Sequence, residues 1–269
     1  MPLNTLRGSV RFNDPFTPPL LAGHDLLIGL ASGDQPVTLP VHTGHVLVAT
    51  GAGGGTTTVL RALSAQALAR GARTDIIDLT HAEHTWARDL PLARHLNDVA
   101  AVHDYLVMSA ADLSGGPRGS ADGWGERHVL VIEELDGVID ALRHYWLRTR
   151  PETQLEEAPG VEALALLLAS GRACGWTVLA GDTGGGLAVR GPVSYRSFST
   201  RILGHGSQTL WRRLAPGAQA PATSPGAGRF HVIDGSEATP FQALYLTSAE
   251  ARAFARSAAA DVAGMRGSA

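Results

Sequence analysis

The chain has 269 residues, 44% of them hydrophobic, and a formal net charge of −3 at neutral pH. These values suit one large core with terminal extensions and exclude a monomer that grips nucleic acid through a global positive field, because that mode needs many cations on phosphate. No apolar run is long enough to span a bilayer, the opening residues lack the apolar stretch of a secretion signal, and the lone Cys174 rules out an internal disulfide, so the expected location is a reducing cytoplasm.

In chain order, Leu26 to Leu30 and Val37 to Val41 are short apolar runs separated by Ser32-Gly33-Asp34, a hairpin pattern. His45 to Thr50 is a continuous apolar run of the kind that forms a parallel strand buried on both faces. A glycine-rich turn follows, then a helical spacing of Val59, Leu60, Leu63 and Ala67 that Gly71 should end. Thr74 to Leu79 gives a second strand, so the unit is strand, loop, helix, strand with a right-handed crossover.

Residues 94–112 read as helical, and Ser114 to Arg127 as a long polar loop. His128 to Ile132 is a third buried strand ending in Glu133-Glu134. Helices are expected at about 135–149 and 161–173, interrupted by the proline- and acid-rich Pro151 to Pro159, with strands at Trp176 to Ala180 and Thr200 to Leu203. Ala215 to Gly228 has the composition of a mobile linker. Arg229 to Ile233 and Phe241 to Thr247 read as a closing hairpin before a helix from Ser248 to about Ala260. The division that results is an extension over 1–25, a main domain over 26–260 and a flexible tail over 261–269.

The chemistry gathers at the glycine-rich turn, Thr50-Gly51-Ala52-Gly53-Gly54-Gly55-Thr56-Thr57-Thr58. Between a strand and a helix, such a loop aims backbone N–H groups and a positive helix end at phosphate. Against the phosphate-binding pattern G-x-x-x-x-G-K-[ST], Gly55 takes the second glycine and Thr57 the magnesium-binding hydroxyl. Thr50 then occupies the first glycine position, and Thr56 the lysine position. About eighty residues on, Glu133 and Glu134 offer one carboxylate to a metal and one to polarise an attacking water.

With these segments in this order, the chain resembles the motor domain of the FtsK/SpoIIIE DNA translocases and their HerA-group relatives from about Leu26 to Ala255. The resemblance implies an α/β, RecA-like P-loop NTPase fold, with a mostly parallel central sheet flanked by helices and small β-hairpin additions. It implies ATP and Mg as ligands, held by Gly51, Gly53, Gly54, Gly55, Thr56, Thr57 and Thr58, with Thr57 and Glu133 on the metal and Glu134 as the catalytic carboxylate. Asp182 falls where the family has a neutral polar sensor, and Arg172 and Arg201 fall in segments that reach a neighbouring subunit's nucleotide. Double-stranded DNA, a ring of like subunits, or an active homologue are the implied partners.

The departures from the family pattern lie where phosphate charge is met. Lysine is absent from the whole chain, whose 22 basic residues are all arginine, so no lysine elsewhere can replace the one missing at Thr56. Asp182 would add like charge near a γ-phosphate. The expectation is weak or absent ATP binding and hydrolysis in a translocase-like subunit. An active ATP-dependent DNA translocase and a nucleotide-independent scaffold are the alternatives. His81 and His84 invite a metal reading but lack a third ligand, and are read as part of a polar loop. Arg118 and Arg127 flank the long loop, which could meet DNA in a ring's pore.

Overall fold

The computed structural model describes residues 6–51, 53–113, 123–150, 157–183, 191–219 and 226–266. The expected loop residue Arg118, most of the break after Pro151, and residues 220–225 of the expected linker lie outside them.

Six parallel strands carry the fold. These are β4 (Val46–Ala49), β5 (Arg73–Ile77), β6 (Ala93–Leu96), β7 (His128–Ile132), β8 (Trp176–Asp182) and β9 (Thr200–Leu203), where β1 to β3 precede them and are described below. Their order across the sheet is β9, β4, β8, β7, β5, β6. The chain leaves β4 and crosses to β5, three places away, goes one place further out to β6, then returns through β7 and β8 and hops over β4 to reach β9. The crevice outside the C-terminal ends of strands at such a switch is where open α/β sheets bind ligands.

Both faces of this sheet are covered, which explains the unbroken apolar runs. Val46, Val48, Val129, Val131 and Leu179 face one core, while Leu47, Ala49, Leu130, Ile132, Val178 and Ala180 face the other. The first core packs against α2 (Thr56–Ala69) and α7 (Ser248–Arg266), the second against α3 (Val99–Asp112), α4 (Leu135–Thr149), α5 (Pro159–Ser170) and α6 (Gln208–Leu214). Gly71 ends α2 as expected, with a positive φ of 81° that glycine adopts at little cost.

The sheet then continues antiparallel. β10 (Arg229–Asp234) joins β9, β11 (Glu237–Tyr245) joins β10, β2 (Leu26–Ala31) joins β11, and β3 (Pro36–Leu39) closes the edge. Both expected hairpins are therefore present, extending one sheet rather than standing apart from it. Gln66, wholly buried on α2, bonds reciprocally to the Leu27 backbone, its Nε2 donating to the carbonyl and its Oε1 accepting from the N–H, both at 2.8 Å.

Four segments depart from the sequence reading. Residues 94–96 belong to β6, not to the helix; Asp98 caps α3 by accepting from Ala101 N, which fixes the helix start after the strand. The first 25 residues include α1 (Thr17–Leu21) and β1 (Val10–Arg11), which pairs in parallel with β11 and buries Val10 completely. The last helix runs beyond Ala260 to Arg266. Ala215, at the start of the expected linker, is buried against the second core.

Candidate nucleotide site

The glycine-rich loop leaves β4 at the C-terminal edge and is braced by both neighbouring strands. Thr50 N donates to Asp182 O of β8 at 3.2 Å, and Gly51 N donates to His205 O, just past β9, at 2.7 Å. Thr50, the residue in place of a glycine, is 1% exposed, and its hydroxyl also donates to His205 O at 3.0 Å. Room for that side chain comes from two other glycines, because a Cβ at Gly54 or at Gly204 would collide with Thr50 Oγ1. The extra side chain is thus built into the turn by its neighbours.

Gly53 and Gly55 adopt φ of 72° and 102°, conformations that demand glycine. Gly55 begins α2 with no side-chain cap. The N–H groups of Thr56, Thr57 and Thr58 make no hydrogen bond to a described residue, so a 14-residue helix presents an open positive end.

Successive helix positions turn by about 100°, so the three threonines point to three places. The Thr56 methyl lies against Gly181 of β8, where a Cβ would meet it; the residue is 6% exposed and its buried hydroxyl has no hydrogen-bond partner. Thr57 donates its hydroxyl to Glu133 Oε1. Thr58 lines a cavity on the other flank of the loop.

Glu133 closes β7 and is buried. Its second oxygen receives His84 Nε2 at 2.6 Å, from a histidine that is wholly buried. The tautomer follows from chemistry: Trp86 Nε1 can only donate, and it reaches His84 Nδ1 at 3.3 Å, so Nδ1 is the acceptor and Nε2 carries the proton that points at Glu133. Asp78, fully buried after β5, folds the delivering loop by accepting from the N–H groups of Thr80, Glu83 and His84. Burial alone would raise its carboxyl, but the hydrogen bonds from Thr80, His84 and Glu83 hold it below the ordinary range.

The sequence reading placed His84 in a polar loop and gave it no role; the structure puts it on the Glu133 carboxylate. The available signal was Asp78 followed by Thr80, a side chain that folds the chain back on itself.

Glu134 stands at the N-cap of α4, beside Gly137, with no side-chain cap bond. Asp182 is buried at the end of β8, in register with Ala49. Thr56, Thr57 and Glu133 thus meet on one flank of the loop, with Glu134 next in the chain after Glu133 and Asp182 next after Gly181.

The arginines do not join them. Arg172 is exposed in the turn before β8, at the opposite edge of the sheet. Arg201 donates to Leu214 O at 2.5 Å and lies over the Tyr195 ring, securing the end of α6. Arg127 is not a free cation at the long loop either; it is 5% exposed and donates to Val41 O.

Thr57 and Glu133 fit a magnesium ion: the hydroxyl spends its proton on the carboxylate and keeps its lone pairs, and the carboxylate is held in place by His84. Among the described residues no helix is long and apolar enough to cross a membrane.

Known structures share this architecture. The chain superposes on the pCW3 conjugation coupling protein TcpA, solved as a monomer with ATPγS, with a TM-score of 0.67 and 16% identity over 91% of this chain and 72% of that one. For the cytoplasmic domain of the type VII secretion ATPase EccC of Thermomonospora curvata the values are 0.68 and 16%, over 90% of this chain and 28% of that one. The genome packaging NTPase B204 of Sulfolobus turreted icosahedral virus 2, with AMPPCP, gives 0.51 and 12%, over 76% and 100%. The chain thus spans less than a third of the EccC structure. No family model matches the sequence, and no curated protein does. At these identities the likeness is one of fold: the chain has the RecA-like P-loop NTPase fold.

Proposed function

We propose that the chain is an FtsK/SpoIIIE-like, DNA-translocase-type subunit with a degenerate nucleotide site. It acts in DNA transfer or translocation in the cytoplasm, as a ring subunit or as the partner of an active homologue, and hydrolyses ATP weakly or not at all. The observation that carries this reading is Thr56. The residue at the lysine position is short, buried and packed onto Gly181, on the flank where Glu133 meets Thr57. A charge-assisted bond to phosphate contributes about 1.5–3 kcal/mol to binding, and a preorganised charge aimed at a transition state about 10²- to 10³-fold in rate. Both are missing here, and the nearest charged group shown is the Glu133 carboxylate.

Conjugation coupling is the printed role of one structural neighbour and genome packaging that of another; with the net charge of −3, binding of duplex by this chain should depend on assembly. The deciding experiment is ATP turnover by purified protein with and without duplex DNA, alongside Glu134→Gln. Negligible turnover that DNA does not stimulate supports the proposal. DNA-stimulated turnover abolished by Glu134→Gln would instead support an active translocase, the reading that the Thr57–Glu133 contact favours.

A further inference from the structure

A cavity of about 560 Å³ opens on the other flank of the glycine-rich loop, between it and the β10–β11 hairpin. Its walls include Gly53, Gly54, Gly55 and Thr58 from the loop and α2, Phe230 and Gln242 from the hairpin, and Arg11 and Arg229. No acidic residue is among its described lining. The two flanks of one loop thus carry opposite charge: carboxylates toward β7 and β8, arginines toward β10 and β11.

Several polar groups in this cavity lack partners. Arg229 spends one nitrogen on Leu6 O at 3.2 Å, and its Nη1 is buried without a hydrogen bond. Arg11 is exposed, and its guanidinium forms no hydrogen bond or ion pair with a described residue. Gln242 is 4% exposed; its Nε2 donates to Ala227 O at 3.2 Å, while Oε1 is an unpartnered acceptor. Gly55 sits against the Phe230 ring edge, so an aromatic wall adjoins the open N–H groups.

We infer that this cavity is a nucleoside diphosphate site, in which Arg11 and Arg229 supply the cationic charge that the lysine position lacks. The inference rests on the reading of the loop as a nucleotide site and extends it. A diphosphate on the free N–H groups of α2 is met by guanidinium on the cavity flank, which suits two-point contact with phosphate oxygens. A planar base has Phe230 and Tyr245 as walls and Gln242 Oε1 as an acceptor for a ring or exocyclic N–H. A third phosphate would extend toward the other flank, where Thr56 offers no cation and the buried carboxylate of Glu133 lies against Thr57. The site therefore favours ADP over ATP, unlike one built to stabilise a γ-phosphate.

The test is titration of the whole chain with fluorescently labelled ADP and ATP, with magnesium and with EDTA, at two salt concentrations. ADP should bind at least as tightly as ATP under both metal conditions, and its affinity should fall as salt rises. Arg229→Ala should weaken ADP about tenfold and Arg11→Ala several-fold, with Arg229→Lys recovering part of the loss. Arg11 is exposed, so its variant tests charge without threatening the fold, and in either arginine variant the salt dependence should flatten, which a purely structural role would not produce. ATP tighter than ADP by tenfold or more overturns the diphosphate assignment while leaving a nucleotide site. Unchanged ADP affinity in both Arg11→Ala and Arg229→Ala overturns the arginine assignment. Binding of neither nucleotide by the wild type overturns the nucleotide reading itself.

Discussion

The two flanks of the glycine-rich loop are built on opposite principles. Toward β7 and β8, groups are tied to one another: Thr57 to Glu133, Glu133 to His84, His84 to Trp86, and Thr56 wedged on Gly181. Toward β10 and β11, Arg229 Nη1 and Gln242 Oε1 are buried without partners in the residues that line a cavity. A loop of this type owes its phosphate affinity to backbone and helix end, which serve both flanks equally; the side chains then decide where along a ligand the affinity falls. Losing the lysine moves the favourable charge from one flank to the other instead of simply removing it.

Acid should erase the difference altogether, and this is the largest effect expected. His45 precedes β4, the strand that carries the loop, and its Nδ1 accepts from Val178 N at 3.0 Å. Burial pushes its imidazole down to about 4. A depressed histidine is held neutral in the fold, so between about 4 and 6.5 the unfolded chain binds more protons. Stability is full above about 6.5 and falls with pH down to about 4, by about 3 kcal/mol from this group. Denaturant titrations of wild type and His45→Gln at pH 7.5 and 5 check this: wild type should lose the larger share, and equal losses would remove His45 as the cause.

Gly54→Ala comes next, because it strikes where the flanks join. The added methyl collides with Thr50 Oγ1 and should cost about 1–3 kcal/mol, as overpacking does. Thr50→Gly in the same chain should return much of that loss. Thermal melts of the single and double variants read the coupling, and additive losses would mean that Thr50 does not fill the turn.

His84→Ala addresses the tied flank alone. It leaves Glu133 buried with one donor fewer, a loss of about 1–3 kcal/mol, and loosens the carboxylate offered to a metal. Magnesium dependence of nucleotide binding should weaken with no change in ADP binding in EDTA. A fall in EDTA as well would show that the flanks are not independent.

The strands β4, β7 and β8 were legible in the sequence because burial on both faces leaves no polar alternation, and the turn glycines because positive φ has few other owners. β6 was not. Of its four residues only Leu96 is buried, so no pattern marks it, and its strand state comes from pairing with β5. The phosphate loop and the carboxylates after β7 could be matched by spacing, whereas His84 is delivered to Glu133 by a loop folded around Asp78, a tertiary fact. Arg11 and Arg229 lie more than two hundred residues apart. They meet one cavity because β1 pairs with Leu244 and Tyr245 of β11 just beyond Gln242, the residue that Arg229 of β10 pairs with.

The smallest effect is expected where sequence comparison alone would look for the largest. Thr56→Lys restores the residue that the phosphate-binding pattern demands, yet it should leave ATP turnover almost unchanged. Thr56 is 6% exposed, with its methyl against Gly181, so a lysine stem must leave that niche and cross toward Asp182 and Glu133. Either carboxylate can then take the ammonium as an ion pair, neutralising the charge before phosphate meets it. Active-site groups act as a unit, so mending one member while its opponents stay recovers only a fraction of the rate. Adding Asp182→Gln should release part of that charge and raise turnover in Thr56→Lys more than in wild type. Turnover measured across wild type, both single variants and the double variant tests the argument. Full activity from Thr56→Lys alone, or wild-type turnover of about one per second abolished by Glu134→Gln, would mean that the tied flank is competent as it stands and that its acidity is no obstacle to a γ-phosphate.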